Sequence, residues 1–571
     1  MQSAVAGLAA YEQTATVDEQ LGLLVQTLDQ LNTLIHYLPG ALSPPLQTLV
    51  QRVAEHWSML LTRQAAALRR QAQVVATLHT RQLFAGDEPR ATVLLTLVNR
   101  GRGEATQLRV ALTTASTTTA ETDNELSQQM LTRLLPGERH DLALSFVPTD
   151  MPTDAPTDSS QPLHFVIHYS DEEAADKTLH YREVIHWLPI GGQFQPIPNP
   201  YVAGAPLRPQ SSTFVGRCGD LQFIANALAN RESNMALVLT GERRMGKTSL
   251  LQQLLVQLDT RYVPVYLDCQ ALAIEPGLAH LLFDLAEAIA LAVGLPTPDT
   301  ADFVERPSAY FERTFLPQVQ QRLGERRLLL LFDEFEELEA RVDRERLEPE
   351  FFPYLRHLIQ HSGLATNATL TVLFAGTHQL HELNPAYWSA FFNVAHHRRL
   401  GFLHPEDART LIMEPVAPHL HYDDLALEQM LRLTGGHPYF LQLLCHIVVN
   451  AANREERSYV TLSHIHSAVE GVFDLAISHL LYLWSGVAAE HKALLLTAAR
   501  IAQDGPSFDS SEVCAHLTDV KRCPTALSSQ QVTTIFHQFV DQEILQPLPH
   551  NKDRYRFTFD LLRRWIARQV V

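Results

Sequence analysis

The spacing of apolar residues changes several times along the chain, and each change marks a different kind of element. From residue 1 to about 77 leucine and isoleucine recur three and four apart: LGLLVQTLDQLNTLIHYL, a break at PGALSPP, then LQTLVQRVAEHWSMLLTRQAAALRRQAQVV. This predicts a helical hairpin with a long second arm over 1–77, and internal packing and oligomer or partner contact fit it equally well. From 78 to 190 the period falls to two. RATVLLTLVNRG, TQLRVALTTAS, HDLALSFVPTD and LHFVIHYSD are short, alternating and rich in Val, Leu and Thr, which predicts a small β-sandwich. PTDMPTDAPTDSSQP (148–162) reads as a loop between strands. Residues 191–213 are dense in Pro and Gly without an apolar period, an extended linker.

Beyond the linker strands and helices alternate, predicting an α/β core over 214–399, a helical lid over 400–486 and a winged helix over 487–571. The core opens with FVGR (214–217) and the helix DLQFIANALAN. A buried strand ending at Thr240 then runs into GERRMGKT (241–248), and the helix SLLQQLLVQL follows. Strand, GxxxxGK[ST] loop and helix in that order form a phosphate cradle. Gly241 and Gly246 let the backbone turn its N–H groups inward, and the helix dipole points its positive end the same way. Lys247 would neutralise the β- and γ-phosphates of ATP, and the Thr248 hydroxyl would ligate Mg²⁺. Arg244, Met245 and Ser249 complete the cradle. The run from Leu328 to Phe332 reads as a central parallel strand. Asp333 at its end is the second metal-site residue, and Glu334 is the candidate base toward water. A third strand ends at Gly376 with Thr377 placed to sense the γ-phosphate. VPVYLDCQ (263–270) is a further core strand, with Asp268 read as structural.

Composition narrows the partners. The apolar fraction is 46% and the charged fraction 19%, an ordinary soluble globular balance. Length allows three to five domains at roughly 100–200 residues each. Lys plus Arg less Asp plus Glu is 45 − 63 = −18, which disfavours nucleic acid or anionic membrane as a whole-surface partner. The five cysteines are scattered without CxxC pairs, as in a reduced, cytosolic chain. The histidines are dispersed, with His396 and His397 read as surface. The N-terminus lacks a secretory pattern, and no apolar run approaches the ~18–20 residues of a membrane span.

Taken in order, FVGR, GERRMGKTSL, LLLLFDE, LGFLHPEDARTLIMEPV and TGGHPYFLQLL resemble the signatures of the STAND NTPases, relatives of the AAA+ and origin-recognition ATPases, over about 214–570. The resemblance implies that Val215, Gly216 and Arg217 lie against the nucleotide, and that Gly436 and Pro438 touch the adenine pocket. It implies a slow ATPase that is closed with ADP and open with ATP, forms oligomers and signals to an effector, in signalling or defence. No TIR, nuclease, protease or repeat-sensor segment is visible. The effector is therefore expected to be a separate protein, reached through the helical and β-sandwich regions. Within the latter, Asn99 to Thr106 resembles the N-x-G-x-G-x-A turn of prokaryotic immunoglobulin-like adhesion modules. Arg398 and Arg399 are arginine-finger candidates not distinguished from surface charge. The third helix of the winged helix carries no Lys or Arg, favouring packing over DNA contact. Two other readings are a DNA-associated origin-recognition-type ATPase and a non-hydrolysing, nucleotide-bound scaffold.

Overall fold

The computed structural model describes residues 2–14, 17–37, 44–84, 90–114, 127–148, 160–188, 194–229, 236–272, 277–361, 370–377, 388, 395–504, 507–519, 528–548 and 551–569. Three helices come first, Gln2–Gln13, Val17–Tyr37 and Pro44–Arg70, closing on Leu24, Leu31, Ala54, Leu61 and Leu68. The expected two-armed hairpin reaching residue 77 is corrected on two points. A third helix precedes it, and the long arm stops at Arg70. Arg69 and Arg70 suit the negative end of that helix's dipole. The next apolar stretch, Val74–Leu78 (β1), alternates buried and exposed as a strand does.

β1 belongs to a three-stranded antiparallel sheet, order β1-β3-β6, with β3 at Ala91–Asn99 and β6 at Arg139–Phe146. A second sheet has the order β2-β8-β7-β4-β5, built from Gln82–Phe84, Lys177–Leu188, Ser160–Ser170, Ala105–Thr114 and Gln128–Leu134 respectively. Val93, Leu95 and Leu144 of one sheet meet Val110, Phe165 and Ile185 of the other in a single core. β5 and β8 escaped sequence reading because their alternation is of exposed and half-buried positions with few fully buried ones. Ser160, Gln161 and Pro162 are strand, not loop, and the remainder of the expected loop from 149 lies outside the described residues.

The α/β core carries a parallel sheet of order β10-β11-β12-β9-β13: Tyr262–Asp268, Arg327–Asp333, Leu370–Gly376, Ala236–Thr240 and His396–Arg399. Both faces are covered. Val238, Leu330, Phe332 and Phe374 meet Leu282 and Ile289 of helix Leu278–Val293 on one side. Leu239, Leu329 and Leu331 meet Leu250 and Leu254 of helix Lys247–Gln257 on the other. Parallel strands with both faces buried read as unbroken apolar runs, which is why β11 was visible in the sequence.

Helices Pro405–Met413, Asp424–Thr434, Pro438–Arg454 and Leu462–Ser485 follow. Then come helices Ala489–Asp504, Ser510–Asp519 and Ser529–Asp541, a sheet of order β16-β18-β17 (Phe508–Asp509, Asn551–Phe557, Leu545–Leu548) and helix Asp560–Ala567. One apolar cluster runs through all of these, from Leu411 and Phe440 to Phe536 and Trp565. The paired sheets dock on the same body. Asp424 accepts the N–H groups of Arg81 and Gln82 at 2.7 and 2.8 Å, Leu425 enters the sheet core, and Arg133 pairs with Glu512 at 3.3 Å.

The linker expectation is also corrected. Residues 194–213 form a strap bonded along its length. Asn453 exchanges hydrogen bonds with both backbone groups of Ile197, and the Tyr201 hydroxyl donates to the carbonyls of Leu411 and Ile412 at 3.1 and 2.7 Å. Farther on, Leu207 N–H donates to Ser249 Oγ at 3.0 Å and Gln210 N–H to Gln253 Oε1 at 3.1 Å. Prolines make the segment extended, and these backbone bonds decide where it lies. Among the described residues no helix is long and apolar enough to cross a membrane.

Asp423 caps helix Asp424–Thr434 by accepting from Ala426 N–H at 2.7 Å, yet it is buried. Burial pushes its carboxyl up to about 7, the cap bond opposes this, and the Asp424 charge adds to it. A folded-state value above the unfolded one means the native state holds the extra proton, so stability falls as pH rises from about 4 through about 7. Asp423→Asn keeps the cap without the charge. Its melting temperature should exceed wild type by about 2–4 °C at pH 8 and match it at pH 4. A pH-independent difference in thermal melts would show that Asp423 does not titrate in this range.

Candidate nucleotide-binding site

The C-terminal ends of β9, β11 and β12 lie side by side, with Gly376 in register with Thr240 and Asp333 with Ala375. The loop after β9 closes on itself through Gly246, whose φ of 89° is open to glycine and strained for other residues. Lys247 is buried, and its ammonium donates to the carbonyls of Gly241 at 2.7 Å and Glu242 at 3.1 Å. Burial pushes that ammonium below its ordinary range, and the carboxylates of Glu336, Glu334, Asp333 and Glu242 pull it back up.

Asp333 is buried behind the loop. The Thr248 hydroxyl donates to it, and the Tyr266 hydroxyl on β10 donates at 2.9 Å. Burial raises the Asp333 carboxyl, while those two bonds and Lys247 lower it. Glu334 sits at φ 51°, left-handed for a non-glycine. Burial raises its carboxyl and the Glu336 and Asp333 charges raise it further, while Gln270 Nε2 holds Glu334 Oε2 at 2.9 Å. Gln270 is itself placed by Arg341, which donates to its carbonyl at 2.8 Å. Thr248 and Asp333 offer hard oxygen ligands already in hydrogen-bond contact, a donor set that fits Mg²⁺.

In front of the loop lies a cavity of about 320 Å³, at the lower end of small-ligand pockets. It brings together ten of the residues singled out from sequence: Val215, Arg217, Arg244, Met245, Gly246, Lys247, Thr248, Ser249, Glu334 and Pro438. The remaining five stand off the cavity wall. Gly241 packs against Leu400 while its carbonyl holds Lys247. Asp333 stands behind Thr248. At Gly216, φ +77°, a Cβ would fall 2.7 Å from that of Asp407, so its role is close approach to the following helices. Gly436 meets the backbone of Leu403 and accepts its N–H at 2.9 Å. Thr377 is held by Glu336, which accepts its N–H at 2.9 Å and its hydroxyl at 2.5 Å. In the absence of nucleotide, Gly216 and Gly436 pack closely on the segments after β13, and Thr377 is bonded to Glu336. Arg217 bridges the carbonyls of Met245 at 3.0 Å and Gly401 at 2.8 Å, joining the loop to the segment after β13. Of the two arginine-finger candidates, Arg398 pairs with Asp220 at 2.6 Å and Arg399 with Glu543 at 2.7 Å.

Sequence reading missed the far wall. Val202, Gly204, Ala205, Pro206 and Leu207 of the strap line the cavity, as do Leu411, Tyr439 and Gln442. The Arg244 guanidinium lies 4.8 Å from the Tyr439 ring and donates to the Gly204 carbonyl, and that of Arg243 lies 5.5 Å from the Tyr482 ring. His479, between those rings, is pushed down to about 4 by burial, with the Arg244 and Arg243 charges adding to the effect. Tyr266, Gln270 and Glu336 were also missed. The usable signal was polarity near the ends of otherwise apolar core strands.

Residues 230–383 match a family described as an AAA domain, a span holding the loop, Asp333 and Glu334 and stopping before β13. No curated protein matches the chain. Among solved structures, the Aeropyrum pernix ORC2 protein in ADPNP–ADP complexes shares 13% identity at a TM-score of 0.45, covering 66% of this chain and 97% of that one. The Aeropyrum pernix ORC1 protein in complex with DNA gives 16% and 0.33, over 62% and 92%. A Thermotoga maritima RuvB gives 14% and 0.32, over 62% and 97%. These values are too low to carry a function across, and the expectation against DNA gains no support from them. An AAA-type P-loop module within a longer multidomain α/β chain is what the family match and the fold establish together.

Proposed function

We propose that this chain is an ATP-binding, slowly hydrolysing switch of the STAND type, in which the nucleotide state sets how the lid, the strap and the flanking units are arranged. The observation that carries this reading is the makeup of the cavity wall. Core, strap and lid residues all face one space, so a ligand there contacts three segments at once. A ligand with different contacts to two arrangements shifts the balance between them. On this reading the paired sheets are an immunoglobulin-like sandwich, the C-terminal unit is a winged helix, and both move with the lid, to which they are bonded.

Lys247 and the loop N–H groups would bind the phosphates, and Thr248 and Asp333 would hold Mg²⁺. When bound, the ion supplies charge neutralisation between the β- and γ-phosphates. Glu334 would accept a proton from the attacking water. Burial and the neighbouring carboxylates raise its affinity for that proton, and the Gln270 bond fixes its direction. Pro438 and the apolar strap residues would face the base. A separate effector remains the partner we infer, through the helical and sheet units. A DNA-associated ATPase is the alternative. Against it, Arg563 and Arg564 of the last helix pair with Asp560, and Arg568 just after it pairs with Glu470, each at 2.6 Å. A gel shift with a steep salt slope would decide for DNA.

Lys247→Ala should remove ATP and ADP binding in calorimetry, whereas Glu334→Gln should keep binding and lower turnover at least a hundredfold. Retained affinity in the first or unchanged turnover in the second refutes the corresponding role. Tyr266→Phe takes one donor from Asp333. It should raise the Mg²⁺ concentration for half-maximal turnover about tenfold while leaving metal-free ATP binding unchanged. An unaltered Mg²⁺ titration would mean that Asp333 is not the anchor.

A further inference from the structure

We propose that Gln442 reads the base of the nucleotide: its side-chain carbonyl accepts a hydrogen bond from the 6-amino group of adenine and opposes the 6-oxo group of guanine. This specificity rests on the nucleotide reading above and concerns the base, not the phosphates.

Helix Pro438–Arg454 turns one polar row toward the strap and the segment after it, at 442, 446, 450 and 453, the spacing of a single helix face. Three of its members are fully used. Asn453 accepts from Ile197 N–H and donates to the Ile197 carbonyl, both at 2.8 Å. Asn450 accepts from Asn199 at 2.9 Å, and its amide nitrogen lies 3.0 Å from His446 Nε2. The other His446 nitrogen lies 2.9 Å from the Tyr201 carbonyl. Gln442 breaks the pattern. Its Nε2 donates to the Thr213 carbonyl at 3.2 Å, while its Oε1 is buried and has no hydrogen-bond partner. A carbonyl offers no proton, so the nitrogen must be the atom on Thr213 and the oxygen the atom left over.

The unpaired acceptor occurs where the row reaches the cavity. Gln442 and Pro438, four residues apart on the helix, both line it, and Gln442 is only 6% exposed. Val202, Leu207, Val215 and Leu411 give the same lining an apolar character. Two further polar side chains there are already committed. The Thr213 hydroxyl lies 2.9 Å from that of Ser211, and Arg217 is held by the carbonyls of Met245 and Gly401. An apolar wall with one unfilled acceptor suits a flat heteroaromatic ring carrying an N–H donor on its edge.

Adenine carries that donor in its 6-amino group, whereas guanine carries an acceptor at the same position. Two carbonyl oxygens facing each other in a dry pocket leave both unsatisfied, so the atom that holds adenine rejects a 6-oxo purine. Because Nε2 is held by Thr213, the amide cannot turn over to offer guanine a donor without breaking that bond.

The test is calorimetric titration of the full chain with ATP, GTP and purine riboside triphosphate, in which hydrogen replaces the 6-amino group. The wild-type chain should bind ATP about tenfold tighter than purine riboside triphosphate and about a hundredfold tighter than GTP. Gln442→Met should bring ATP and purine riboside triphosphate within about twofold of each other. Gln442→Glu keeps an oxygen for the base and gives up the amide nitrogen, so it should melt lower than wild type yet retain the preference for ATP. If Gln442 only clasps the lid to Thr213, both variants weaken all three nucleotides by one factor and leave their ratios unmoved. A ratio unmoved in Gln442→Met overturns the proposal, as does a wild-type chain that binds ATP and purine riboside triphosphate equally or a preference lost in Gln442→Glu. Should Gln442→Met fail to fold, Gln442→Lys, which keeps a donor for Thr213 and offers no acceptor, is read in its place by the same ratio. A wild-type chain that binds none of the three removes the pocket reading itself, whereas binding all three alike removes this inference alone.

Discussion

The structure is organised around one buried ammonium group. Lys247 is withdrawn from water, which by itself would disfavour its charge, and it is kept by two carbonyl oxygens of its own loop and the field of carboxylates on the neighbouring strand end and the segment after it. This arrangement requires the loop to curl, the curl requires the left-handed turn at Gly246, and the turn is anchored between β9 and helix Lys247–Gln257. Outside the loop, Arg217 ties its backbone to Gly401, Ser249 receives the strap, and Arg244 lies on Tyr439. Core, strap and lid all reach the cradle through one or two bonds each.

How the parts became visible in sequence follows from how local their physics is. The cradle is eight consecutive residues whose backbone geometry their own glycines permit, so the motif could be read directly. Asp333 was readable because a strand buried on both faces leaves an apolar run with an acid at its end. Tyr266, Gln270 and Glu543 lie far from that motif along the chain, and their approach depends on strand register and on how the C-terminal unit sits. No local pattern encodes that. The strap shows the same limit more sharply. Its prolines announced an extended segment, but its position is set by backbone groups meeting Asn453, Ser249 and Gln253, and any residue other than proline offers the same N–H. The flanking glycines carry a related ambiguity. Gly216 and Gly436 are required by close backbone approach to the lid segments, a demand that from sequence looks the same as approach to a ligand.

A longer consequence concerns which bodies move. The paired sheets meet Asp424 and Leu425 of the lid and Glu512 of the C-terminal unit, and the lid and C-terminal unit share one apolar cluster. Separating them would expose that cluster to water, at roughly 25 cal/mol for each Å² of apolar surface. By contrast, what joins this assembly to the α/β core includes polar links across the cavity: Arg217 to Gly401, the strap to Ser249 and Gln253, and Arg399 to Glu543. Such bonds exchange with water or ligand at about 1 kcal/mol each. A rearrangement at the cavity would therefore break the polar seam and leave the apolar one intact, carrying sheets, lid and C-terminal unit together. The strap crosses that seam, held to helix Pro438–Arg454 at one end and to helix Lys247–Gln257 at the other. Because its middle lines the cavity, whatever fills that space acts on a segment that must deform if the two bodies turn.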